Sequence, residues 1–220
     1  EDAWVADRPG RALAGKGVDI ILNPSASHFA FGKTEVRRGF VKDGSRAFAA
    51  AYIYSNLLGN ESGRIIYDGQ CLIAQNGALL AEGPRFSFSD FVLTFAPLDI
   101  DATRRSAAKT ASFRTNPAPD DSCIRIRTGK VSWFSLPVSE SHIRERDSWE
   151  LSPNIQFEEF TRAGALGLFD YLRKAHSGGY VISLSGGADS AAVAVLVFFM
   201  IRLALKSIGP EGVARRLAYL

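Results

Sequence analysis

The chain has 220 residues, 46% of them hydrophobic and 22% charged, and a formal net charge of +3. This is the balance of a globular protein with room for one large or two small domains, and so slight a positive excess gives no argument for a nucleic-acid surface. Two cysteines, Cys71 and Cys123, supply neither a disulfide framework nor a metal site, and His28, His142 and His176 lack metal-ligand spacing.

In chain order, Val18-Asp19-Ile20-Ile21-Leu22 is an apolar run fit for a buried strand. It runs into a small-residue turn, Asn23 to Gly32, where Ser25, Ser27 and the following Lys33 are placed to converge on a polar ligand. The plainer alternative is a capped turn with a surface lysine. Lys33 opens a predicted helix reaching about Ala49, with Val36, Phe40, Val41 and Phe48 as its apolar positions. A cation at a helix N-terminus is unfavourable unless an anion sits nearby. Ala51 to Leu57 reads as a strand. Cys71 to Gln75 and Ala78 to Glu82 flank Asn76-Gly77, the signature of a type I′ hairpin. Asp90 to Ile100 is a further predicted strand, followed by a short helix at Asp101.

Residues 106–152 carry Pro117, Pro119 and Pro137, serines and clustered charges, and read as a linker with a short strand near Ile124 to Arg127. Arg125, Arg127 and Lys130 beside Trp133 form a basic-aromatic cluster best explained as a solvated strand face. From Pro153 the pattern is α/β. Phe157, Phe160, Leu168 and Leu172 recur at helical spacing, with Gly164 on the same face and Gly178-Gly179 as the stop. The longest uncharged apolar run, the 11 residues Ala191 to Ile201, is too short to span a bilayer and reads as a buried helix. The first residues, Glu1 and Asp2, are acidic and give no signal-peptide pattern. There is no starting methionine and no helix stop after Arg215-Arg216-Leu217, so the chain is expected to be a piece of a longer one.

The most chemically specific segment is Ser183-Leu184-Ser185-Gly186-Gly187-Ala188-Asp189-Ser190. It follows the apolar Tyr180-Val181-Ile182 and precedes a long apolar run, which predicts a strand, a glycine turn and a helix. At such a junction the free N–H groups of the helix's first turn and its positive dipole end face one spot. Two glycines let an anion come close, Ser185 and Ser190 add hydroxyls, and Asp189 adds a carboxylate able to hold a cation beside the anion. A phosphate chain with Mg²⁺ fits this set. A Walker A loop is excluded because no Lys-Ser or Lys-Thr follows the second glycine, and G-x-G-x-x-G is excluded because Gly186 and Gly187 are adjacent. What remains resembles the PP-loop, SGG-x-DS, of the ATP pyrophosphatase superfamily; the alternative is a Gly-Gly turn capped by Ser190 ahead of a core helix.

Glu1-Asp2-Ala3-Trp4, the Leu22 to Lys33 turn, Asn56 to Gly59, Tyr67-Asp68-Gly69 and Leu79 to Phe88 together resemble the nitrilase-like glutaminase domain of glutamine-dependent NAD synthetases. Phe157 to Leu205 resembles the start of their synthetase domain, and the order of the two regions agrees. The resemblance implies an α/β chain. Residues 1–105 would be the C-terminal part of a nitrilase-like αββα sandwich, 106–152 a linker, and 153–220 the start of an adenine-nucleotide α-hydrolase-like, PP-loop parallel domain. It also implies a cytoplasmic homo-oligomer, with no nucleic-acid or membrane partner. The full enzyme would take ammonia from glutamine and use ATP to amidate nicotinic acid adenine dinucleotide.

By the same resemblance, Ser27 and Lys33 contact glutamine, Lys33 through its α-carboxylate, and Ser183 to Ser190 bind ATP with Asp189 on Mg²⁺. The nucleophilic cysteine, glutamate and lysine are expected upstream of Glu1, which would border the missing cysteine. Neither Cys71, read as a buried strand residue, nor Cys123 takes the nucleophile's place. Glu61, Arg64 and Asp68 are assigned structural salt bridges, and His28 a solvent-facing turn. Two other readings stay open: a different PP-loop ligase, or a degenerate protein that keeps the folds for assembly.

Overall fold

A computed structural model describes residues 3–61, 63–109, 124, 126, 129 and 144–220. Its elements are α1 (Pro9–Gly15), β1 (Ile20–Ser25), α2 (Lys33–Ala47), β2 (Ala51–Asn56), β3 (Leu58–Glu61), β4 (Ile65–Asp68), β5 (Cys71–Gln75), β6 (Ala78–Glu82), α3 (Ile100–Lys109), a 3-10 turn (Ser148–Leu151), α4 (Ile155–Lys174) and α5 (Ala188–Arg216). The expected strand at Ile124 to Arg127, the basic-aromatic cluster, Cys123, His142 and Glu1 lie wholly or partly outside the described residues.

The main sheet has the order β1-β2-β5-β6. β1 and β2 are parallel, with Ile21 opposite Tyr52 and Asn23 opposite Tyr54, and α2 is the crossover that a parallel pair requires. The β2–β5 and β5–β6 pairs are antiparallel. Asn76 and Gly77, at φ 51° and 83°, close the predicted type I′ hairpin. β3 and β4, which the sequence pattern did not reveal, form a separate two-stranded hairpin.

One face of the sheet packs on α2. Ile21, Tyr52, Tyr54, Leu72 and Ala74 meet Phe40, Val41 and Phe48 there. Val36, expected on this face, is exposed, and the buried positions one step on are Arg37 and Arg38. They are buried because they have carboxylate partners on the sheet side: Arg37 pairs with Asp68 and Arg38 with Glu82.

A second core joins the two ends of the chain. Phe86 and Phe88, after β6, pack with Trp149, Ala163, Ala165, Leu166, Phe169 and Leu172 of the α4 region and with Met200 and Ala204 of α5, while Leu58 and Ile66 of the hairpin border it. At Gly59, φ 98°, a Cβ would lie 2.1 Å from Asp170 Oδ2, which accepts the Asn60 amide at 2.8 Å. That contact ties α4 to β3.

Four expectations are corrected. Residues 90–99 form no strand and have no ladder partner among the described residues, and Phe91, Leu93 and Phe95 are exposed. Tyr180-Val181-Ile182 is likewise no strand, again with no ladder partner among the described residues. On α4, Phe157 and Phe160 are exposed and the buried face runs through Ala163, Leu166 and Phe169; the helix ends at Lys174, where His176 at φ 51°, stacked 4.7 Å from the Tyr219 ring, supplies the left-handed residue instead of Gly178-Gly179. Finally, α5 spans 29 residues, broken at Gly209-Pro210, and ends at Arg216. Met200 and Ala204 are buried but Val193, Val195, Phe198 and Ile201 are exposed, so the apolar run is not a buried helix; the whole 29-residue helix, unlike the 11-residue run, is by length and hydropathy alone able to cross a membrane.

The joint between the two cores is electrostatic. Arg85 donates Nε–H to Glu150 Oε1 at 3.2 Å and Nη1–H to Glu159 Oε1 at 2.6 Å and Thr34 Oγ1 at 2.8 Å; Arg144 meets Glu150 from the other side at 2.8 Å. Arg85, Glu150 and Glu159 are all buried. Glu159→Ala should leave Arg85 Nη1 without its carboxylate while Glu150 still meets the charge, and lower unfolding free energy by about 1–3 kcal/mol, the cost of a buried donor losing its acceptor. Urea unfolding followed by tryptophan fluorescence checks this; an unchanged midpoint refutes it.

Candidate functional site

The phosphate-loop candidate begins α5. Gly186, at φ 82°, turns the chain with a conformation that a β-carbon disfavours, and Gly187 is the N-cap of the helix starting at Ala188. No side chain caps the first turn. The amides of Ala188, Asp189 and Ser190 therefore lack the in-helix acceptors that later residues have, the first such bond being Ala191 N–H to Gly187 O at 3.2 Å. Ser183 to Asp189 are exposed. Ser185 Oγ and Ser190 Oγ lie 3.2 Å apart, and Ser190 Oγ donates to Gly187 O at 3.0 Å. The two hydroxyls thus stand over the turn. Asp189 is exposed and has no ion-pair partner among the described residues.

Those residues hold no group of three or more His, Cys, Asp or Glu that could bind a metal unaided. One free carboxylate with two hydroxyls nevertheless fits Mg²⁺, which keeps most of its waters and is commonly shared between a single carboxylate and substrate phosphates.

The second candidate lies at the carboxyl end of β1. Gly32, at φ 77°, is the N-cap of α2. Ser27 is buried in the turn before it, and Lys33 is half-exposed at the helix start. Lys33 Nζ donates to His28 O at 3.0 Å, lies 3.1 Å from His28 Nε2, and sits 5.5 Å from the centre of the Trp4 ring. Lys33 and Ser27 are thus brought to one turn, as expected, while Ser25 faces a separate cleft. His28 is exposed, as expected, but it holds the lysine. Burial, then repulsion from Arg37, lowers the Lys33 pKa, with Asp68 opposing.

Behind this turn is a buried polar network that sequence reasoning missed. Arg37 meets Asp68 and Gln70, while Asn56 contacts both Ser27 and Asp68. The sequence shows Arg37 one helical turn after Lys33, but its partner lies 31 positions away and has no periodic signal. Asp68 does make the structural ion pair expected of it; Glu61 instead accepts from Tyr67 Oη at 2.9 Å.

A cleft of about 570 Å³ opens beside the ends of β1 and β2, lined in part by Pro24, Ser25, Ser55, Cys71, Asp90 and Phe91. Cys71 does begin β5, but it is half-buried on this cleft and not enclosed as expected. Its Sγ is 3.6 Å from Ser55 Oγ and 3.6 Å from Gly69 O, and the cleft lining contains no histidine or lysine to act as a base.

Titration of the Lys33 amine by NMR should give a midpoint below the ordinary lysine value of about 10.4. The charged form would thus be lost on the alkaline side sooner than for a free lysine. An ordinary or raised midpoint contradicts the packing around Lys33.

No protein-family profile matches the chain. Curated relatives do. It is 32% identical over 208 residues to a glutamine-dependent NAD(+) synthetase of Oryza sativa subsp. indica, covering 94% of this chain and 28% of that protein. It is also 32% identical over 209 residues to the Homo sapiens protein of the same name, covering 91% of this chain and 28% of that one. Among solved structures, a glutamine-dependent NAD(+) synthetase from Cytophaga hutchinsonii superposes with a TM-score of 0.64 at 36% identity, over 93% of this chain and 26% of the other. One from Acinetobacter baumannii, in complex with adenosine diphosphate, shares the fold at a TM-score of 0.55 and 20% identity, over 91% of this chain and 29% of the other. The chain spans under a third of the length of these relatives. Along nearly all of its own length it is similar to glutamine-dependent NAD(+) synthetases, aligning with a little over a quarter of each.

Proposed function

We propose that this chain forms part of a ligase that makes NAD from nicotinic acid adenine dinucleotide, ATP and glutamine-derived ammonia. The observation that carries the reading is the uncapped, exposed start of α5 under Gly186-Gly187, with two hydroxyls and a free carboxylate beside it. In this reading residues 153–220 begin a PP-loop domain and α5 is an interior helix whose exposed apolar face other strands would cover. Residues 1–105 are the C-terminal part of an αββα sandwich. The exposed side chains of Ile20 and Leu22 lie on the sheet face opposite Ile21, where a second sheet would pack. Residues 106–152 link the two.

The loop's task is to hold the pyrophosphate that leaves. A carboxylate oxygen of the dinucleotide attacks the α-phosphorus of ATP, the bond from that phosphorus to the β-phosphate bridging oxygen breaks, and pyrophosphate departs. The amides of Ala188 to Ser190, the positive end of α5 and the hydroxyls of Ser185 and Ser190 stabilise the negative charge that grows there. Ser190 would turn from Gly187 O toward the phosphate. Asp189 would hold Mg²⁺, which when bound neutralises the leaving group. Ammonia then attacks the acyl carbon and AMP leaves, giving the amide. Ser183 and Leu184 shape the approach to the loop.

At the other site, Lys33 would pair with the α-carboxylate of glutamine and Ser27 would hydrogen-bond to it. A cytoplasmic homo-oligomer acting on small molecules, without nucleic-acid or membrane partners, completes the proposal.

With full-length protein, ATP–pyrophosphate exchange should depend on nicotinic acid adenine dinucleotide. Asp189→Asn should reduce it by about 10²-fold or more, the scale for removing one electrostatic contact to a developing charge. Exchange that ignores the dinucleotide, or survives Asp189→Asn intact, refutes the reading. The 220-residue chain on its own should hydrolyse no glutamine, because among the described residues no histidine or lysine lines the Cys71 cleft and its one carboxylate, Asp90, is paired with Arg216; measurable glutamate release would overturn that.

Since the Lys33 pKa is lowered, the KM for glutamine should rise on the alkaline side below the pH at which an ordinary lysine deprotonates. Lys33→Arg should move that rise upward. A KM independent of pH in this range contradicts the assignment.

A further inference from the structure

Ser27 belongs to no strand or helix, yet its peptide is held on both sides by side chains. Asn56, the last residue of β2, accepts the Ser27 N–H through Oδ1 at 2.8 Å and returns Nδ2–H to the Ser27 carbonyl at 2.9 Å. The same Nδ2 donates to Asp68 Oδ1 at 2.8 Å. From α2, Arg37 Nη2 donates to the Ser27 carbonyl at 2.8 Å, to Ser27 Oγ at 3.1 Å and to His28 O at 3.4 Å. Arg37 Nη1 closes the ring on Asp68 Oδ2 at 2.5 Å. Arg37, Asn56 and Asp68 are 0%, 6% and 1% exposed, so these bonds meet little competition from water.

The direction of one bond has a chemical consequence. Arg37 has only donors, so the Ser27 oxygen is the acceptor and its own O–H proton is left to point elsewhere. Lys33, another pure donor, is held to the next carbonyl, that of His28. The turn therefore presents two donors and suits a ligand group that only accepts, as a carboxylate does.

We propose that Asn56 and Arg37 are positioning residues that fix Ser27 with its hydroxyl proton turned outward and hold the His28–Lys33 contact in register with it. This rests on reading the turn as a glutamine site. Neither side chain touches the ligand; both act through Ser27. A purely structural role for the network would be felt across the protein, whereas a positioning role falls on glutamine use alone.

The test uses full-length protein, with NAD formation measured from glutamine and, separately, from added ammonium. Asn56→Ala should raise the KM for glutamine by about tenfold or more, the weight of one or two buried hydrogen bonds. Its ammonium-dependent rate should stay within about twofold, since that route bypasses the turn. In a Ser27→Ala background the Asn56→Ala effect should shrink to the part carried by the His28–Lys33 contact, because coupled residues do not add. The Ser27 amide should also lose hydrogen-exchange protection in Asn56→Ala while the amides inside β2 keep theirs.

Independent, multiplying effects of the two substitutions overturn the proposal. So does equal loss of both activities, or a protected Ser27 amide. A wild-type protein that uses ammonium but not glutamine would instead remove the glutamine reading, and the exchange measurement alone would then decide whether Asn56 holds the turn.

Discussion

Arg37 and Asp68 form a buried ion pair on which the N-terminal part of the structure turns. An arginine with no solvent exposure is tolerable only when its charge is met and its donors are used. Here Asp68, Gln70, Ser27 O and His28 O take up its two Nη groups, leaving Nε unpartnered. The pair joins three elements remote in sequence: α2, the end of β4 and the turn after β1. Its worth is less in net stability, since desolvation offsets much of the attraction, than in allowing one arrangement of those elements. The network extends outward. Gln70 reaches Glu82, which receives Arg38, and Thr34 on the same helix receives Arg85, whose other partners lie on Glu150 and Glu159. Polar contacts, with α2 between them, therefore link the turn after β1 to α4.

The glycine loop before α5 is built on a different principle. Its geometry comes from neighbours in sequence: a left-handed glycine, an N-cap and two hydroxyls five residues apart. It needs no long-range partner to adopt its shape, and accordingly it stands exposed at the start of α5. The two sites thus differ in how each is held. The loop is a local structure, whereas the turn is locally irregular and is held by side chains from elsewhere.

The elements that departed from expectation share one cause. Residues 90–99, residues 180–182 and the apolar side of α5 carry hydrophobic patterns proper to packed structure, yet Phe91, Leu93, Phe95, Val181, Val193, Val195, Phe198 and Ile201 stay exposed. Hydrophobic pattern reports what a segment would gain by burial; it does not supply the partner. A strand exists only when a neighbour completes its ladder. The exposed Ile20 and Leu22 on the open face of the sheet belong with them. The helix face on α4 failed for another reason: Phe157 and Phe160 repeat at helical spacing, but the contacts of Ala163, Leu166 and Phe169 with Phe86, Phe88 and α5 chose a different side.

Sequence alone determined the features governed by short-range chemistry: the Asn76-Gly77 hairpin, the crossover helix opening at Lys33, the strands before and after it, and the Ser185 to Ser190 loop. Each depends on residues within a few positions of one another, so spacing and residue type carry the information. Only the tertiary structure decided why Arg37 is buried, how Asn56 holds Ser27, where the β3–β4 hairpin sits, and that Arg85 joins α2 to α4. Those arrangements pair residues from 9 to 110 positions apart. A buried charge carries no periodic mark in the sequence, because the same arginine is a surface residue until the fold brings a carboxylate to it.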